Sequence, residues 1–253
     1  MTNDNYKLGE FLLGPGTPEM PFSGVYEGDC RSLLEKIPVE TIDLIMTDPP
    51  WDNESLPLYE DVALAATRIL KPSGFLFMYT GNDNYAWILD ICKNSVGLCY
   101  FRTFAGIQEN SDDMYYKKAL FVKWRPILVM TRNPDVRPPY WTPDALKTNR
   151  DKRFHQWGQG VEPLERWIRC LTRPGDVVLD PFCGGGATAV SAKTVGRRWL
   201  TFEIDHDTAE IARRRIRETQ PPLFVMDELV SSEVVPGTMP ELPIVFTPED
   251  NYD

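Results

Sequence analysis

The chain has 253 residues, with 27 lysines and arginines against 37 acidic residues, so its formal net charge at pH 7 is -10. This length suits one α/β domain with appendages, and the acidity argues against a protein that grips phosphate with its whole surface. Five cysteines without a CxxC pair predict neither a disulfide framework nor a zinc site. Because no signal peptide and no apolar run of roughly 20 residues is present, we expect a cytoplasmic protein without a membrane or metal requirement.

Strands and helices are predicted to alternate from Val25 onward, after an irregular lead-in over residues 1–24. The predicted strands are Thr41–Thr47, Phe75–Tyr79, Cys99–Phe104, Phe121–Thr131 (one or two strands, broken near Pro126), Val177–Asp180 and Trp199–Ile204. The predicted helices are Leu33–Ile37, Leu58–Leu70, Tyr85–Lys93, Pro163–Leu171, Thr188–Val195 and Asp207–Arg217. This alternation predicts an α/β fold with a mostly parallel, doubly wound sheet and helices on both faces.

Charge is distributed unevenly along the chain. Residues 99–155 hold 11 basic and six acidic residues, a net of +5, whereas residues 219–253 hold seven acidic residues, six prolines and no lysine or arginine. Basic and aromatic side chains interleave over residues 105–159, which suits a nucleic-acid groove; an ordinary solvated loop set is the alternative. We expect a catalytic domain over residues 25–218 that contains this basic insert, followed by an extended or disordered tail. The arginines of Arg213–Arg217 are predicted to lie on a solvated helix end, where cations complement the helix C-terminus; contact with DNA is the alternative.

A glycine-rich turn carries the first chemical motif. The sequence Asp180-Pro-Phe-Cys-Gly-Gly-Gly-Ala-Thr188 runs from a predicted strand into the next helix. Gly184 and Gly186 permit a tight turn and the close approach of a ligand, and the helix N-terminus offers free N–H groups. Glu203 follows Asp180 by 23 residues, near the ~20-residue spacing at which an acid reaches a nucleotide ribose. The motif predicts a nucleoside-binding site; a tight loop with a surface acid is the alternative.

The second motif, Asp48-Pro49-Pro50-Trp51, directly follows the strand Thr41–Thr47, at a carboxyl strand end where open α/β sheets place their sites. The two prolines stiffen the turn and remove two N–H donors. A carboxylate and a backbone carbonyl can accept both hydrogens of an exocyclic amine while an aromatic ring stacks on the base. Such contacts free the nitrogen lone pair for attack. The motif predicts chemistry on a planar amine; a stiff turn with a half-buried tryptophan is the alternative.

Three motifs together, DPPW (48–51), DPFCGGGAT (180–188) and FEID (202–205), resemble the S-adenosyl-L-methionine-dependent DNA amino-methyltransferases that modify adenine N6 or cytosine N4. The catalytic motif precedes the cofactor motif, as in the β-type, circularly permuted members with a Rossmann-like fold. Upstream, Glu27-Gly-Asp-Cys30 resembles the family's GD motif. The resemblance covers roughly residues 25–217. The stretch His155–Pro163 departs from the family's HPxQKP pattern, so no cofactor contact is carried over there.

The resemblance implies a role for each motif residue and a flipped target base. The catalytic residues would be Asp48, Pro49, Pro50 and Trp51. The cofactor, and its product S-adenosyl-L-homocysteine, would be bound by Asp29, Cys30, Asp180, Pro181, Phe182, Gly184, Gly186, Thr188 and Glu203. DNA would be contacted by Lys117, Lys118, Arg137, Lys147, Arg150 and Arg153. No metal is implied, and a homodimer and a restriction-enzyme partner are left open.

The leading prediction is transfer of a methyl group to N6 of a flipped adenine in a restriction-modification setting, because DPP before an aromatic residue is commoner in N6 enzymes and SPP in N4 enzymes. Cytosine N4 and adenine N6 of RNA remain alternatives. Two hypotheses come from other classes: a catalytically idle DNA-binding subunit, and methylation of a protein glutamine, whose related motif has Asn in place of Asp48. No Pro-Cys dipeptide occurs, so Cys183 is predicted to be a small filler residue and not a nucleophile.

The acidic tail generates a first prediction. Deleting residues 219–253 removes a net charge of -7, so DNA binding at low salt should strengthen while cofactor binding stays intact. Fluorescence anisotropy with labelled DNA at two salt concentrations measures the first effect, and calorimetric titration measures the second. Unchanged or weaker DNA binding would contradict a repulsive role for the tail.

Overall fold

One eight-stranded sheet forms the centre of the computed structural model, which describes residues 23–95, 97–108, 114–115, 119–149, 151, 153–154 and 160–220. The strands are β1 Ser23–Glu27, β2 Ile42–Thr47, β3 Leu70–Tyr79, β4 Cys99–Ile107, β5 Met114–Tyr115, β6 Leu120–Phe121, β7 Trp124–Thr131, β8 Ala145–Lys147, β9 Val177–Asp180 and β10 Arg198–Glu203. The helices are α1 Cys30–Leu34, α2 Leu56–Ile69, α3 Tyr85–Asp90, α4 Val161–Leu171, α5 Ala187–Thr194 and α6 His206–Glu218, with a 3-10 turn at Asn53–Ser55 and a π-helical turn at Ile91–Ser95.

The order of strands across the large sheet is β1-β10-β9-β2-β3-β7-β4-β8, and β5 pairs with β6 in a separate antiparallel hairpin. The strands β1, β10, β9, β2 and β3 are parallel, whereas β7 is antiparallel to both its neighbours. Helix α5 connects β9 to β10 in one direction across the sheet, and α2 connects β2 to β3 in the other. The boundary between β9 and β2 is therefore a topological switch point, where open α/β sheets bind ligands. The predicted doubly wound, mostly parallel sheet is confirmed.

Alternate side chains of the strands enter two apolar layers on opposite faces of the sheet. Ile45 of β2 packs with Tyr59 of α2 in the layer covered by α1, α2 and α3. Its neighbour Leu44 packs with Phe77 of β3 and Trp167 of α4 in the layer covered by α4 and α5. The ring centroids of Phe77 and Trp167 lie 5.0 Å apart, and all five side chains are fully buried. Strands buried on both faces explain the near-continuous apolar runs of the sequence.

The start of the domain differs from the predicted boundaries. Strand β1 begins at Ser23, two residues before the expected limit of the catalytic domain, and pairs in parallel with β10. Helix α1 begins at Cys30, three residues before the predicted Leu33, because the Asp29 carboxylate caps it by accepting the backbone N–H of Arg31 at 2.9 Å.

Strand β7 continues through Pro126, where a break was predicted. Its ladder with β3 ends at the pair Tyr79–Ile127, and Pro126 lies just beyond it, opposite Ala105 of β4, where its carbonyl accepts the Thr80 N–H at 3.4 Å. A proline, which has no N–H to donate, is tolerated at the end of a ladder. Strand β3 is also longer than predicted, since its pairing with β2 begins at Leu70.

Gly186 allows α6 to lie against the start of α5. Its φ of +77° lies in the left-handed region, and a Cβ placed there would be 3.2 Å from the Cβ of Ala212 on α6. Val190 and Ile216 are buried in the same contact. The glycine is therefore required both by its backbone conformation and by the closeness of the two helices.

Substitution of Gly186 should cost more stability than substitution of a glycine with the same backbone conformation in open space. Gly175 supplies that control, because its φ is +82° and no atom lies within 4 Å of the place that a Cβ would take. Gly175→Ala should lower the free energy of unfolding by about 1 kcal/mol for the backbone alone, and Gly186→Ala by about 1–3 kcal/mol more for the steric contact. Urea unfolding measures both; equal losses would contradict the packing role.

Candidate active site

A cleft of about 1330 Å³ opens at the carboxyl ends of the parallel strands. Strand ends contribute acidic residues to it in sheet order: Asp29 after β1, Glu203 on β10, Asp180 on β9 and Asp48 after β2. All four predicted catalytic residues line the cleft, as do eight of the nine predicted cofactor residues: Asp29, Cys30, Asp180, Pro181, Phe182, Gly184, Thr188 and Glu203. Gly186 does not line it, because its place is the contact between α5 and α6.

A buried hydrogen bond connects the two motifs across the switch point. The Thr47 hydroxyl, one residue before the DPPW turn, donates to the Asp180 carboxylate at 2.8 Å. The Phe182 N–H donates to the same oxygen at 3.1 Å. Asp180 is only 4% exposed, and burial raises its pKa to about 6, although hydrogen bonds from Thr188, Thr47 and Phe182 oppose that shift. The carboxylate thus fixes the position of the catalytic turn relative to the glycine turn.

The DPPW turn is held by its own side chains and by a buried tyrosine. The Trp51 indole N–H donates to Oδ1 of Asp48 at 2.8 Å, which sets the orientation of both side chains. The Tyr59 hydroxyl on α2 donates to the Pro49 carbonyl at 3.2 Å, and Tyr59 is fully buried. Trp51 remains 36% exposed at the mouth of the cleft, with Gly81 against its ring. The turn therefore presents a carboxylate, a carbonyl and an aromatic ring together.

Glu203 organises the glycine-rich turn. One carboxylate oxygen accepts the N–H of Gly184 at 2.9 Å, and the other accepts those of Ile204 and Asp205 at 3.0 Å each. Strands β1 and β10 end side by side, since the Gly28 N–H donates to the Glu203 carbonyl at 2.9 Å. Cys183 within the turn is buried, and burial raises the pKa of its thiol, in agreement with the expected filler role. These hydrogen bonds therefore connect the glycine-rich turn to the end of β10.

Asp29 lies beside Glu203 at the start of α1. Its carboxylate accepts hydrogen bonds from the Arg31 guanidinium at 2.7 and 3.0 Å, and these bonds hold the pKa of Asp29 below its usual range. Cys30 is buried, and burial raises the pKa of its thiol to about 11. Cys30 is therefore neutral at physiological pH and contributes to the wall of the cleft as an apolar group.

The predicted DNA contacts are only partly described. Lys117, Lys118 and Arg150 lie outside the described residues. Arg137, Lys147 on β8 and Arg153 are exposed, and none of these three lines the cleft. Arg153 is paired with Asp151 at 2.8 Å. Their contact with DNA stays a prediction.

Arg125 is a site residue that the sequence did not distinguish from its basic neighbours. Its guanidinium carbon lies over the Trp51 ring, 4.9 Å from the ring centroid. Arg125 belongs to β7, and because β7 runs antiparallel to β3, its beginning and not its end lies at the cleft. Strand direction was not predictable from local spacing, so the contact was not foreseen.

Arg215 was predicted to lie on a solvated helix face, and that prediction is wrong. It is 7% exposed, donates to the Gly185 carbonyl at 2.9 Å and lies over the Phe154 ring, with its guanidinium carbon 4.1 Å from the ring centroid. Arg215 follows Ala212 by three residues, so helical spacing places both on the buried face of α6. This helical spacing was the sequence signal from which the burial of Arg215 could have been predicted.

The small β5–β6 hairpin extends the cleft beyond the sheet. Tyr115 and Phe121 from the hairpin line the cleft together with Trp124 at the start of β7. Phe121 is 67% exposed and Trp124 43% exposed. Exposed aromatic rings beside a cleft are suited to stacking on planar groups.

Neither a membrane span nor a metal cluster is found in the described part of the chain. No helix there is long and apolar enough to cross a membrane. No group of three or more His, Cys, Asp or Glu side chains is placed among these same residues to hold a metal ion.

Comparisons with known proteins place the chain in a family. A family model described as a DNA methylase, that of the N6/N4 methyltransferases, matches residues 42–214. The Type II methyltransferase M.BglII of Bacillus subtilis is 27% identical over 84% of this chain and 73% of its own length. The fold defines an α/β protein with a cleft at the carboxyl ends of its parallel strands, and the family match is more specific. The chain belongs to the N6/N4 DNA methyltransferase family.

Solved structures establish the same fold. The PvuII DNA methyltransferase, described as cytosine-N4-specific, superposes with a TM-score of 0.69 at 19% identity, covering 83% of this chain and 92% of that one. The M1.HpyAVI–SAM complex superposes with a TM-score of 0.64 at 20% identity, covering 76% of this chain and 98% of that one. The Rossmann-like methyltransferase fold predicted from the motifs is thereby confirmed.

The raised pKa of Asp180 predicts a pH-dependent stability. Because the folded state holds this proton up to about pH 6, against a usual pKa of 3.8, the wild type should lose stability as pH rises from 4 to 7. The loss should reach about 3 kcal/mol relative to Asp180→Asn, which cannot ionise. Urea unfolding of both proteins at several pH values measures the difference. A difference that does not change with pH would contradict the buried, ionising carboxyl.

Proposed function

We propose that this chain transfers a methyl group from S-adenosyl-L-methionine to the exocyclic N6 amine of an adenine flipped out of DNA. The observation that carries the proposal is the Thr47–Asp180 hydrogen bond, which holds the DPPW turn and the glycine turn in one cleft at the switch point. Chemistry between a nucleoside cofactor and a planar amine requires this juxtaposition, because the reacting atoms must lie in contact.

The residues of the glycine-turn half of the cleft fit the cofactor. Three carboxylates at strand ends line this half, those of Asp29, Asp180 and Glu203, and negative charge suits a sulfonium cation. Glu203 would hold the ribose hydroxyls and Asp29 the adenine, while Phe182 and the turn at Gly184 would enclose the methionine end. When bound, S-adenosyl-L-methionine supplies an electrophilic methyl group. The M1.HpyAVI–SAM complex, which shares the fold, supports this assignment.

The DPPW turn would activate the amine. Asp48 and the Pro49 carbonyl each accept one N–H of the exocyclic amine, which localises the lone pair on nitrogen. A carboxylate and a carbonyl oxygen can each accept more than one hydrogen bond, so the existing bonds from Trp51 and Tyr59 are compatible with this role. The nitrogen would become positive as its bond to the methyl carbon forms and the sulfonium–methyl bond breaks to leave S-adenosyl-L-homocysteine, and the Asp48 charge would stabilise it. The methylated nitrogen would then release one proton to solvent. No histidine base is required for these steps.

Trp51 would stack on the flipped base. Its ring is exposed at the mouth of the cleft, and its indole N–H is fixed by Asp48. The Arg125 guanidinium lies over this ring, so a base that stacks on the same face would displace it. The displaced guanidinium would still lie beside the cleft, where a cation suits the phosphate backbone of DNA.

Cytosine N4 is the second candidate target. The specific observation in its favour is the superposition on the PvuII enzyme, which is described as cytosine-N4-specific. Asp48 at the first position of the motif favours adenine, because the family resemblance associates DPP with adenine-N6 enzymes and SPP with cytosine-N4 enzymes. Both bases present the same amine beside a ring nitrogen, so the DPPW turn serves either.

Loss of the Asp48 charge should abolish most of the activity. Asp48→Asn should lower the rate of methyl transfer to DNA by about a hundredfold to a thousandfold, since one stabilising contact at the reacting atom is lost. Cofactor affinity should remain within error, because Asp48 does not contact the cofactor in this assignment. Transfer of labelled methyl groups and calorimetric titration measure the two quantities.

Asp52 provides a matched control in the same turn. Its carboxylate accepts the Ser55 N–H at 2.8 Å, a capping role that asparagine also performs. Asp52→Asn removes the same charge from the same cleft and should change the rate by less than about fivefold. Equal effects of the two substitutions would refute the role assigned to Asp48.

Mass spectrometry of nucleosides from the methylated DNA identifies the base. The expected product is N6-methyladenine, and N4-methylcytosine would transfer the proposal to the second candidate. RNA offered in place of DNA under the same conditions should receive less label. Absence of any methylated nucleoside, with cofactor binding intact, would favour the idle DNA-binding subunit.

A further inference from the structure

The hydroxyl of Tyr79 is a buried polar group without a hydrogen-bond partner among the described residues. Tyr79 ends β3, the strand next to β2 in the sheet, and it is 3% exposed. Its ring packs edge-on against Phe77, with centroids 5.9 Å apart. The residue lines the cleft, yet the described part of the chain supplies no donor or acceptor to its hydroxyl. A buried hydroxyl left in this state costs about 1–3 kcal/mol, so its presence requires an explanation.

Tyr79 lies beside the DPPW turn. Thr47 pairs with Met78 in the ladder between β2 and β3, so the next residues along the two strands, Asp48 and Tyr79, are neighbours at the cleft edge. Burial and, to a smaller degree, the Asp48 charge raise the pKa of the Tyr79 hydroxyl. The group therefore stays protonated at physiological pH and acts as a hydrogen-bond donor.

A second tyrosine shows how a satisfied hydroxyl behaves at the same place. Tyr59 approaches the DPPW turn from α2, is fully buried, and donates to the Pro49 carbonyl at 3.2 Å. Its partner belongs to the protein, whereas Tyr79 has none among the described residues. Buried polar groups in folded proteins are nearly always paired, and a cleft residue without a protein partner is expected to find one in the ligand.

We infer that the Tyr79 hydroxyl donates a hydrogen bond to the ring nitrogen next to the target amine, N1 of adenine or N3 of cytosine. This inference rests on the proposed function. Asp48 and the Pro49 carbonyl bind the amine, and the ring nitrogen is the next acceptor along the same edge of the base. Tyr79, the neighbour of Asp48 in the sheet, offers an unpartnered donor there, whereas the Thr47 hydroxyl already donates to Asp180.

The inferred contact would select the base as well as position it. Adenine and cytosine both carry an unprotonated ring nitrogen beside the amine, whereas guanine and thymine carry an N–H at the corresponding position. A donor facing that N–H would leave two donors opposed, which is costly in a buried site. Tyr79 is thus a specificity-determining residue that favours adenine and cytosine over guanine and thymine.

The test combines one side-chain change with one atom change in the DNA. The methylated position is first mapped on a plasmid from an expressing host. Duplexes then carry at that position either the natural base or its deaza analogue, 1-deazaadenine or 3-deazacytosine, in which C–H replaces the ring nitrogen. The kcat/KM of wild type and of Tyr79→Phe is measured on both duplexes, together with the unfolding midpoint and cofactor affinity of each protein.

The ratio of kcat/KM on the natural duplex to kcat/KM on the deaza duplex should be about tenfold larger for the wild type than for Tyr79→Phe. This factor corresponds to the loss of one hydrogen bond. The unfolding midpoint of Tyr79→Phe should be equal or higher, since the change removes an unpartnered hydroxyl, and cofactor affinity should not change. Tyr59→Phe is the matched control, which should lower the rate on both duplexes by the same factor. Equal discrimination by wild type and Tyr79→Phe would overturn the inference, whereas the absence of any methylated base on the plasmid or on the natural duplex would overturn the proposed function instead.

Discussion

The buried carboxylate of Asp180 is the constraint on which the site depends. It lies at the end of β9, at the switch point of the sheet, and accepts hydrogen bonds from Thr47 on one side and from the start of the glycine turn on the other. Burying it is unfavourable, as its raised pKa shows, so the hydrogen bonds must offset part of that penalty. Because the same carboxylate contacts both turns, it fixes their relative position although they lie 132 residues apart in the sequence (Asp48 to Asp180).

The distribution of charge follows the same geometry. Carboxylates occupy the ends of four adjacent parallel strands and face one cleft, although the basic residues dominate the segment that follows β3 in the chain. A negatively charged cleft suits a cationic methyl donor and an amine that becomes positive, while the basic segment suits the phosphates of DNA. Under the proposed function, the chain thus separates the charges that serve the reaction from those that serve DNA binding. The net charge of -10 for the whole chain describes neither the cleft nor the basic segment.

The parts of the fold that depend on local pattern were predictable. Strand β9 was predicted with its correct bounds, and most other elements within two or three residues, because buried parallel strands leave continuous apolar runs and amphipathic helices leave a periodic signal. The site residues of the parallel strands were also predictable, since Asp48, Asp180 and Glu203 all follow apolar runs and thus meet at one edge of the sheet. Motif resemblance then supplied the chemistry.

The contacts that were not predictable depend on tertiary structure. Arg125 reaches Trp51 only because β7 is antiparallel, and strand direction leaves no local trace in the sequence. Gly186 belongs to a motif that suggests cofactor binding, yet its place is set by Ala212 on a helix that comes later in the chain. The state of the Tyr79 hydroxyl likewise follows from what surrounds it in the fold and not from its neighbours in sequence.

The most direct test of the account is a crystal structure of the chain with S-adenosyl-L-homocysteine and a duplex that contains the methylated site. The account predicts one base turned out of the duplex, with its exocyclic nitrogen hydrogen-bonded to Asp48 and facing the cofactor sulfur above the glycine turn. A cofactor bound at Glu203 with the base stacked in the duplex, or turned into a site away from Trp51, would contradict the shared cleft on which the proposed reaction depends.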